Sequence, residues 1–242
     1  MTTGMCGRFA LTATPEEVQA LFGYLDAEQF PPRYNIAPTQ PIAVVRVLHG
    51  DRRLTLMRWG LVPAFVKDPK GFPLLFNARS ESAATRPAFA NAMRYRRCLI
   101  PASGFYEWRK GPGRQKQPFW LRPRASGLIA FAGLWETWSD RDGGEIDTAT
   151  ILTTDANRTL APIHDRMPLI VSPADFDRWL KSTGDPSDDV TGLLRPAPDA
   201  LLEAIPVGAR VNKADNDGPE LQIPVVANDP APPAATRDLF DV

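Results

Sequence analysis

Cys6 stands almost at the N-terminus, in Met5-Cys6-Gly7-Arg8-Phe9, directly after a second methionine. A cysteine taken alone is most often a small buried hydrophobe. This position opens two further chemistries. With translation beginning at Met5, or with residues 1–5 removed, Cys6 carries an α-amine and a thiol on adjacent carbons. The α-amine titrates near ~8, so much of it is neutral and nucleophilic at physiological pH. Such a pair captures aldehydes: the amine forms an imine and the thiol closes a five-membered thiazolidine. Alternatively, an N-terminal cysteine is an amidohydrolase nucleophile whose own amine serves as base.

Other residues offer chemistry with a plain structural reading beside it. Glu107, in Gly104-Phe105-Tyr106-Glu107-Trp108, lies either on the wet face of a strand or among aromatics, desolvated and with a raised pKa. His164, in Ala161-Pro162-Ile163-His164-Asp165-Arg166-Met167-Pro168, is one of two histidines, and is a functional group or a hydrogen-bonded loop residue. His49 reads as a surface turn residue, Asn77 as an ordinary turn asparagine and Trp59 as plain core. There is no Walker-type loop, no GxGxxG and no HExxH. Cys6, Cys98, His49 and His164 show no CxxC or HxxxH spacing, which argues against zinc. No cofactor or metal is predicted.

These residues need elements to hold them. The 242 residues are 43% hydrophobic and 23% charged, a globular composition, and 25 prolines predict short elements joined by rigid turns. Thr14-Pro15-Glu16-Glu17 predicts a capped helix with Val18, Leu21, Phe22 and Leu25 on its apolar side. Ile42–Leu48 and Arg53–Trp59 predict a hairpin around His49-Gly50-Asp51. A short helix is predicted near Pro87–Tyr95. Further strands are predicted at Cys98–Ile100, continuing through Gly104–Trp108, and at Phe119–Arg122, Leu128–Trp138, Thr148–Thr153 and Leu169–Val171. A second capped helix is predicted from Ser172, with Phe176, Trp179 and Leu180 inward. The fold class is α+β: a single domain with a mainly antiparallel, β-barrel-like sheet core flanked by short helices. Its expected divisions are residues 1–5 as a leader or mis-assigned start, 6–227 as the domain, and 228–242 as a Pro/Ala-rich disordered tail. No run reaches the ~20 apolar residues of a membrane span, and no signal pattern opens the chain, so the expected location is cytoplasmic. Two cysteines make no disulfide framework.

The formal net charge of zero hides an asymmetry. Residues 1–128 hold 19 Lys and Arg against 8 Asp and Glu, and residues 129–242 hold 9 against 20. Arginine's planar fork suits phosphate, so this predicts either a polyanionic partner for one face or two halves that neutralise each other on folding. Charge counts do not separate the two.

Six motifs in order carry a resemblance: Cys6-Gly7-Arg8-Phe9, Arg33-Tyr34-Asn35-Ile36-Ala37-Pro38-Thr39-Gln40, Trp59-Gly60-Leu61-Val62-Pro63, Asn77-Ala78-Arg79-Ser80-Glu81, Gly104-Phe105-Tyr106-Glu107-Trp108 and His164-Asp165-Arg166-Met167-Pro168. Together, over residues 6 to about 225, the chain resembles the SOS response-associated peptidase (SRAP) family, the abasic-site processing proteins. The resemblance implies single-stranded DNA containing abasic sites as partner, bound in a basic groove and placing the protein at the nucleoid. It implies a thiazolidine cross-link through Cys6, with Glu107 moving protons and assisting reversal. Asn77 would hold the amine or opened sugar, and His164 would assist proton transfer at the sugar ring oxygen. Arg8, Arg79 and Arg166 would clamp phosphates, and Pro38, Thr39, Gln40 and Trp59 would line the groove. The family exposes its cysteine by losing an initiator methionine, so the four residues ahead of Met5 imply a start at Met5 or processing. The alternative activity is an N-terminal-cysteine peptidase acting on its own leader or on other proteins. A monomer is expected. The last residues, Thr236–Val242, partly resemble peptides that dock on bacterial sliding clamps, though the usual glutamine and first leucine are absent; the other reading is a solvated tail.

Overall fold

The computed structural model describes residues 6–26, 29–111 and 116–226. The expected leader, tail and clamp-docking segments lie outside the described residues. In chain order the elements are β1 (Arg8–Leu11), α1 (Pro15–Phe22), β2 (Arg33–Ile36), β3 (Pro41–Leu48), β4 (Asp51–Trp59), β5 (Asn77–Arg79), α2 (Ser80–Ala83), α3 (Ala90–Tyr95), β6 (Arg97–Ala102), β7 (Gly104–Lys110), β8 (Lys116–Pro123), β9 (Ile129–Ser139), β10 (Glu145–Asp155), β11 (Arg166–Pro168), β12 (Ile170–Val171), α4 (Phe176–Leu180) and β13 (Leu202–Pro206). Strands β10, β4, β3, β6 and β9 form a five-stranded barrel, which closes where β9 pairs with β10. Every pairing in it is antiparallel except β4–β10, which is parallel. An antiparallel sheet in the order β13-β8-β7-β1-β2 packs against it. The fold class is therefore the one expected from the sequence.

Local chemistry explains several of these elements. Thr14 caps α1: its hydroxyl accepts from the Glu17 N–H, and the Glu17 carboxylate accepts from the Thr14 N–H. The helix stops at Gly23, in the left-handed region with φ 67°, so Leu25 falls beyond the apolar stripe and is exposed. His49 (φ 53°) and Gly50 (φ 91°) make the two-residue turn between β3 and β4, and both positive φ values match the twist of a tight hairpin. The expected cap at Ser172 is not made; a 3-10 turn, Pro173–Asp175, leads into the short α4 instead.

Gly104–Trp108 was expected to prolong the strand at Cys98–Ile100, and here the structure corrects the sequence reading. The chain leaves the barrel at Ser103, and β7 enters the other sheet between β1 and β8. A Cβ on Gly104 would lie 2.3 Å from the Leu121 carbonyl oxygen, so the crossing requires glycine. Successive β7 residues then face opposite ways. Phe105 joins the core shared with the barrel, edge-on to Phe131 at 6.0 Å, while Phe9 packs edge-on against Trp59 at 5.2 Å and Phe131 at 5.7 Å. Tyr106 turns to a separate cluster with Ala10, Trp120, Val207 and Val211. Among the described residues no helix is long and apolar enough to cross a membrane.

Candidate active site

Cys6 lies just ahead of β1, and β1 pairs with β7 in the register Arg8↔Tyr106 and Phe9↔Phe105. That register carries Cys6 to Glu107, 101 residues away in sequence. The Cys6 backbone nitrogen donates to Glu107 Oε1 at 2.6 Å, and both residues are buried. Glu107 shares its side of β7 with Phe105, toward the barrel. Tyr106 and Trp108 associate with the opposite cluster. The expected desolvation is present, on the barrel side that Phe105 shares and not on the side of Tyr106 and Trp108. Burial pushes the Glu107 carboxyl up to about 8, against the two backbone N–H donors of Cys6 and Trp108, and the Asp165 charge adds to the rise. Burial also pushes the Cys6 thiol well above its ordinary value, with a further contribution from Glu107.

Asn77 opens β5, which pairs in parallel with β10 through Asn77↔Ile151 and Arg79↔Thr153. A Cβ on Gly7 would lie 3.8 Å from Phe76, so the Phe76-Asn77 segment borders the Cys6-Gly7 backbone. Asn77 Oδ1 is buried with no partner among the described residues, an acceptor without a donor. On the other side of β10, β11 pairs through Asp155↔Arg166. His164 enters that strand, its Nδ1 accepting the Arg166 backbone N–H at 3.0 Å. Cys6, Glu107 and the Asn77 segment thus come together from three parts of the chain, while β5, with Asn77, and β11, which follows His164, both pair with β10.

The residues expected to touch DNA separate into kinds. Pro38, Thr39 and Gln40 form a surface turn, with Thr39 exposed at φ 77°. Trp59 is corrected: it is fully buried and cannot offer its ring to a base. Arg79 is exposed and has no ion pair among the described residues. Arg8 donates to Asn35 Oδ1 at 3.0 Å, the Val211 carbonyl at 2.6 Å and the Asn212 carbonyl at 3.1 Å. Arg166 is buried, donating to Asp155 at 2.6 Å, Glu81 at 2.8 Å and the Thr153 carbonyl at 2.8 Å. Five arginines of the basic half also pair with carboxylates of the acidic half: Arg33–Asp217, Arg46–Asp147, Arg52–Asp177, Arg96–Glu136 and Arg122–Glu203. Much of the charge asymmetry is neutralised within the fold.

Residues without an assigned role prove structural to the site. Asn35 is fully buried and donates to the Val211, Lys213 and Asn216 carbonyls. Asp217 accepts from the Tyr34 and Asn35 N–H groups and from Arg33. With Trp108 donating to Asn212 at 2.7 Å, they fasten the 209–217 loop beside β1 and β7. No local pattern announces these partners, which lie more than 100 residues apart.

A closed mixed barrel backed by an antiparallel sheet, with a buried cysteine–glutamate pair at one end, defines the class of protein. The fold alone also appears in an X-ray structure from Bacteroides thetaiotaomicron, which matches with a TM-score of 0.81 at 22% identity over 91% of this chain and all of that one. The family model described as SOS response associated peptidase (SRAP) matches residues 5–214, and the chain belongs to that family. YoqW of Bacillus subtilis, an abasic site processing protein, is 36% identical over 220 residues, covering 90% of this chain and 98% of YoqW. YedK of Escherichia coli, with the same description, is 32% identical over 91% of this chain and all of YedK. HMCES of Xenopus tropicalis, also an abasic site processing protein, is 27% identical over 98% of this chain and 84% of its own.

Proposed function

We propose that this protein captures abasic sites in single-stranded DNA as a covalent thiazolidine through Cys6. The carrying observation is the 2.6 Å contact between the Cys6 nitrogen and Glu107 Oε1 in a buried setting. Once Cys6 is the first residue, that nitrogen is an α-amine titrating near ~8, beside a carboxyl that burial raises while an amide stands at Cys6. A buried carboxyl in hydrogen-bond contact with the amine is placed to take and return its proton, the geometric condition for general acid–base catalysis.

The amine adds to the C1′ aldehyde of the opened sugar, forming the C–N bond. Glu107 takes a proton from nitrogen and returns one to the departing hydroxyl, so water leaves and an imine remains. The thiol then adds across C=N: the C–S bond forms and the thiol proton goes to nitrogen. Water is the only by-product, and Glu107 runs the same transfers backward for release. The partnerless Asn77 Oδ1 is suited to the amine, and the exposed Arg79 to a flanking phosphate, which positions without reading sequence.

Amine-first chemistry also fits the thiol, whose raised pKa disfavours the thiolate that a cysteine peptidase needs. Leader removal draws support from one feature: Glu107 faces the nitrogen of the Met5–Cys6 bond, where an acid can protonate the leaving amine. The test is a uracil-containing single strand treated with uracil-DNA glycosylase and run on a denaturing gel. A heat-stable shifted band is expected, lost in Cys6→Ser while non-covalent affinity persists. Full yield from Cys6→Ser, or an adduct from protein whose intact mass still includes residues 1–5, would overturn the reading.

A further inference from the structure

We propose that Asp165 is a positioning residue that holds His164 with a proton on Nδ1 while the sugar ring opens; this rests on the abasic-site reading above. Three groups face His164 Nδ1. The Arg166 backbone N–H donates to it at 3.0 Å, Asp165 Oδ1 lies 3.1 Å away, and the Arg166 carbonyl oxygen lies 3.3 Å away. No single state of the ring satisfies all three. A neutral ring with its proton on Nε2 accepts the Arg166 N–H and meets the carboxylate lone pair against lone pair. A ring protonated at Nδ1 donates to Asp165 and the Arg166 carbonyl, and gives up the Arg166 N–H. Asp165 therefore favours a proton on Nδ1, whether or not Nε2 carries one as well.

The surroundings give this choice a use. His164 is mostly buried, whereas Asp165 is largely exposed and makes no other ion pair among the described residues. The Arg166 guanidinium is turned away, onto Asp155 and Glu81. Nε2 has no partner among the described residues, so it is the nitrogen left for a ligand. The Asp165 charge also acts on Glu107, raising its carboxyl slightly beyond what burial does.

A closed abasic sugar is a hemiacetal without a free aldehyde. Opening breaks C1′–O4′: O4′ takes the proton from Nε2 of the imidazolium, and the C1′ hydroxyl gives its proton to Glu107 as the carbonyl forms. His164 finishes as the Nδ1–H imidazole bonded to Asp165. Without the carboxylate the Nε2–H tautomer prevails, and a neutral imidazole is a far weaker acid.

The test compares two single strands, one with a natural abasic site and one with an acyclic aldehyde that lacks the hydroxyl needed to close a ring. Asp165→Asn should slow single-turnover cross-linking of the natural site about 1.5-fold to fivefold, the range open to an exposed ion pair, and leave the acyclic strand unchanged. Asp165→Glu should restore the rate. Because His49 is the only other histidine, ¹⁵N spectra at one fixed pH should show directly less Nδ1 protonation of His164 in Asp165→Asn. Equal slowing on both strands, or unaltered rates and His164 shifts, would overturn the role of Asp165. Failure of the wild-type protein to link either strand would instead overturn the abasic-site reading, and this proposal with it.

Discussion

The Trp59 indole N–H donates to the Phe76 carbonyl at 2.8 Å, so the barrel core holds the segment that presents Asn77. The same ring lies edge-on to Phe76 at 6.0 Å and to Phe9 at 5.2 Å. Trp59→Phe keeps an aromatic but loses the donor and part of the volume. It should cost about 1–3 kcal/mol in urea unfolding and slow cross-linking more than it weakens DNA binding. Loss of affinity with stability intact would return Trp59 to the DNA groove.

Glu107→Gln should slow cross-linking and release together by ~10²–10⁴-fold, the usual worth of a positioned acid–base group. It also has a stability signature. With an amide at Cys6, the folded carboxyl holds its proton to about 8 against an ordinary 4.5. The folded state then binds more protons than the unfolded one across that window, so stability falls as pH rises from 4.5 to 8. Glu107→Gln removes this slope and should gain on wild type between pH 5 and pH 8 in denaturant titrations. An unchanged difference would mean the carboxyl is ionised in the folded chain.

The three arginines should not behave alike. Arg79→Ala should weaken single-strand binding at every sequence and lower the salt slope by about 0.7, one phosphate contact. Arg8→Ala and Arg166→Ala should lower the melting temperature as well, because each removes a donor to a backbone carbonyl within the fold, Val211 for Arg8 and Thr153 for Arg166. Salt titrations and thermal melts on the three variants separate these effects. A wild-type slope in Arg79→Ala would put the phosphates elsewhere.

Thr39 adopts φ 77°, a left-handed conformation that a β-branched residue rarely takes. The strain is about 1–2 kcal/mol, and glycine returns about 0.5–1 kcal/mol of it as chain entropy. Thr39→Gly should therefore stabilise by about 0.5–1 kcal/mol, read from the urea midpoint. A loss would show that the threonine side chain makes a contact worth more than the strain.

The α1 cap, the β3–β4 hairpin and the aromatic strand around Glu107 were all legible in the chain, because capping, turn chemistry and alternation act over a few residues. The motif order likewise carried the family. What the sequence left open was direction and partnership. It could not say that Glu107 faces the barrel while Tyr106 faces away, since that depends on the single-residue crossing at Ser103 into another sheet. Nor could it show that Trp59 is core, that Arg166 is held between Asp155 and Glu81, or that Asn35 fastens a loop some 180 residues away. Burial is set by what packs on a face, and those faces belong to segments that only the folded chain brings together. The Cys6–Glu107 contact is the clearest case: both residues stand out in the sequence, but their 2.6 Å separation exists only through the pairing of β1 with β7.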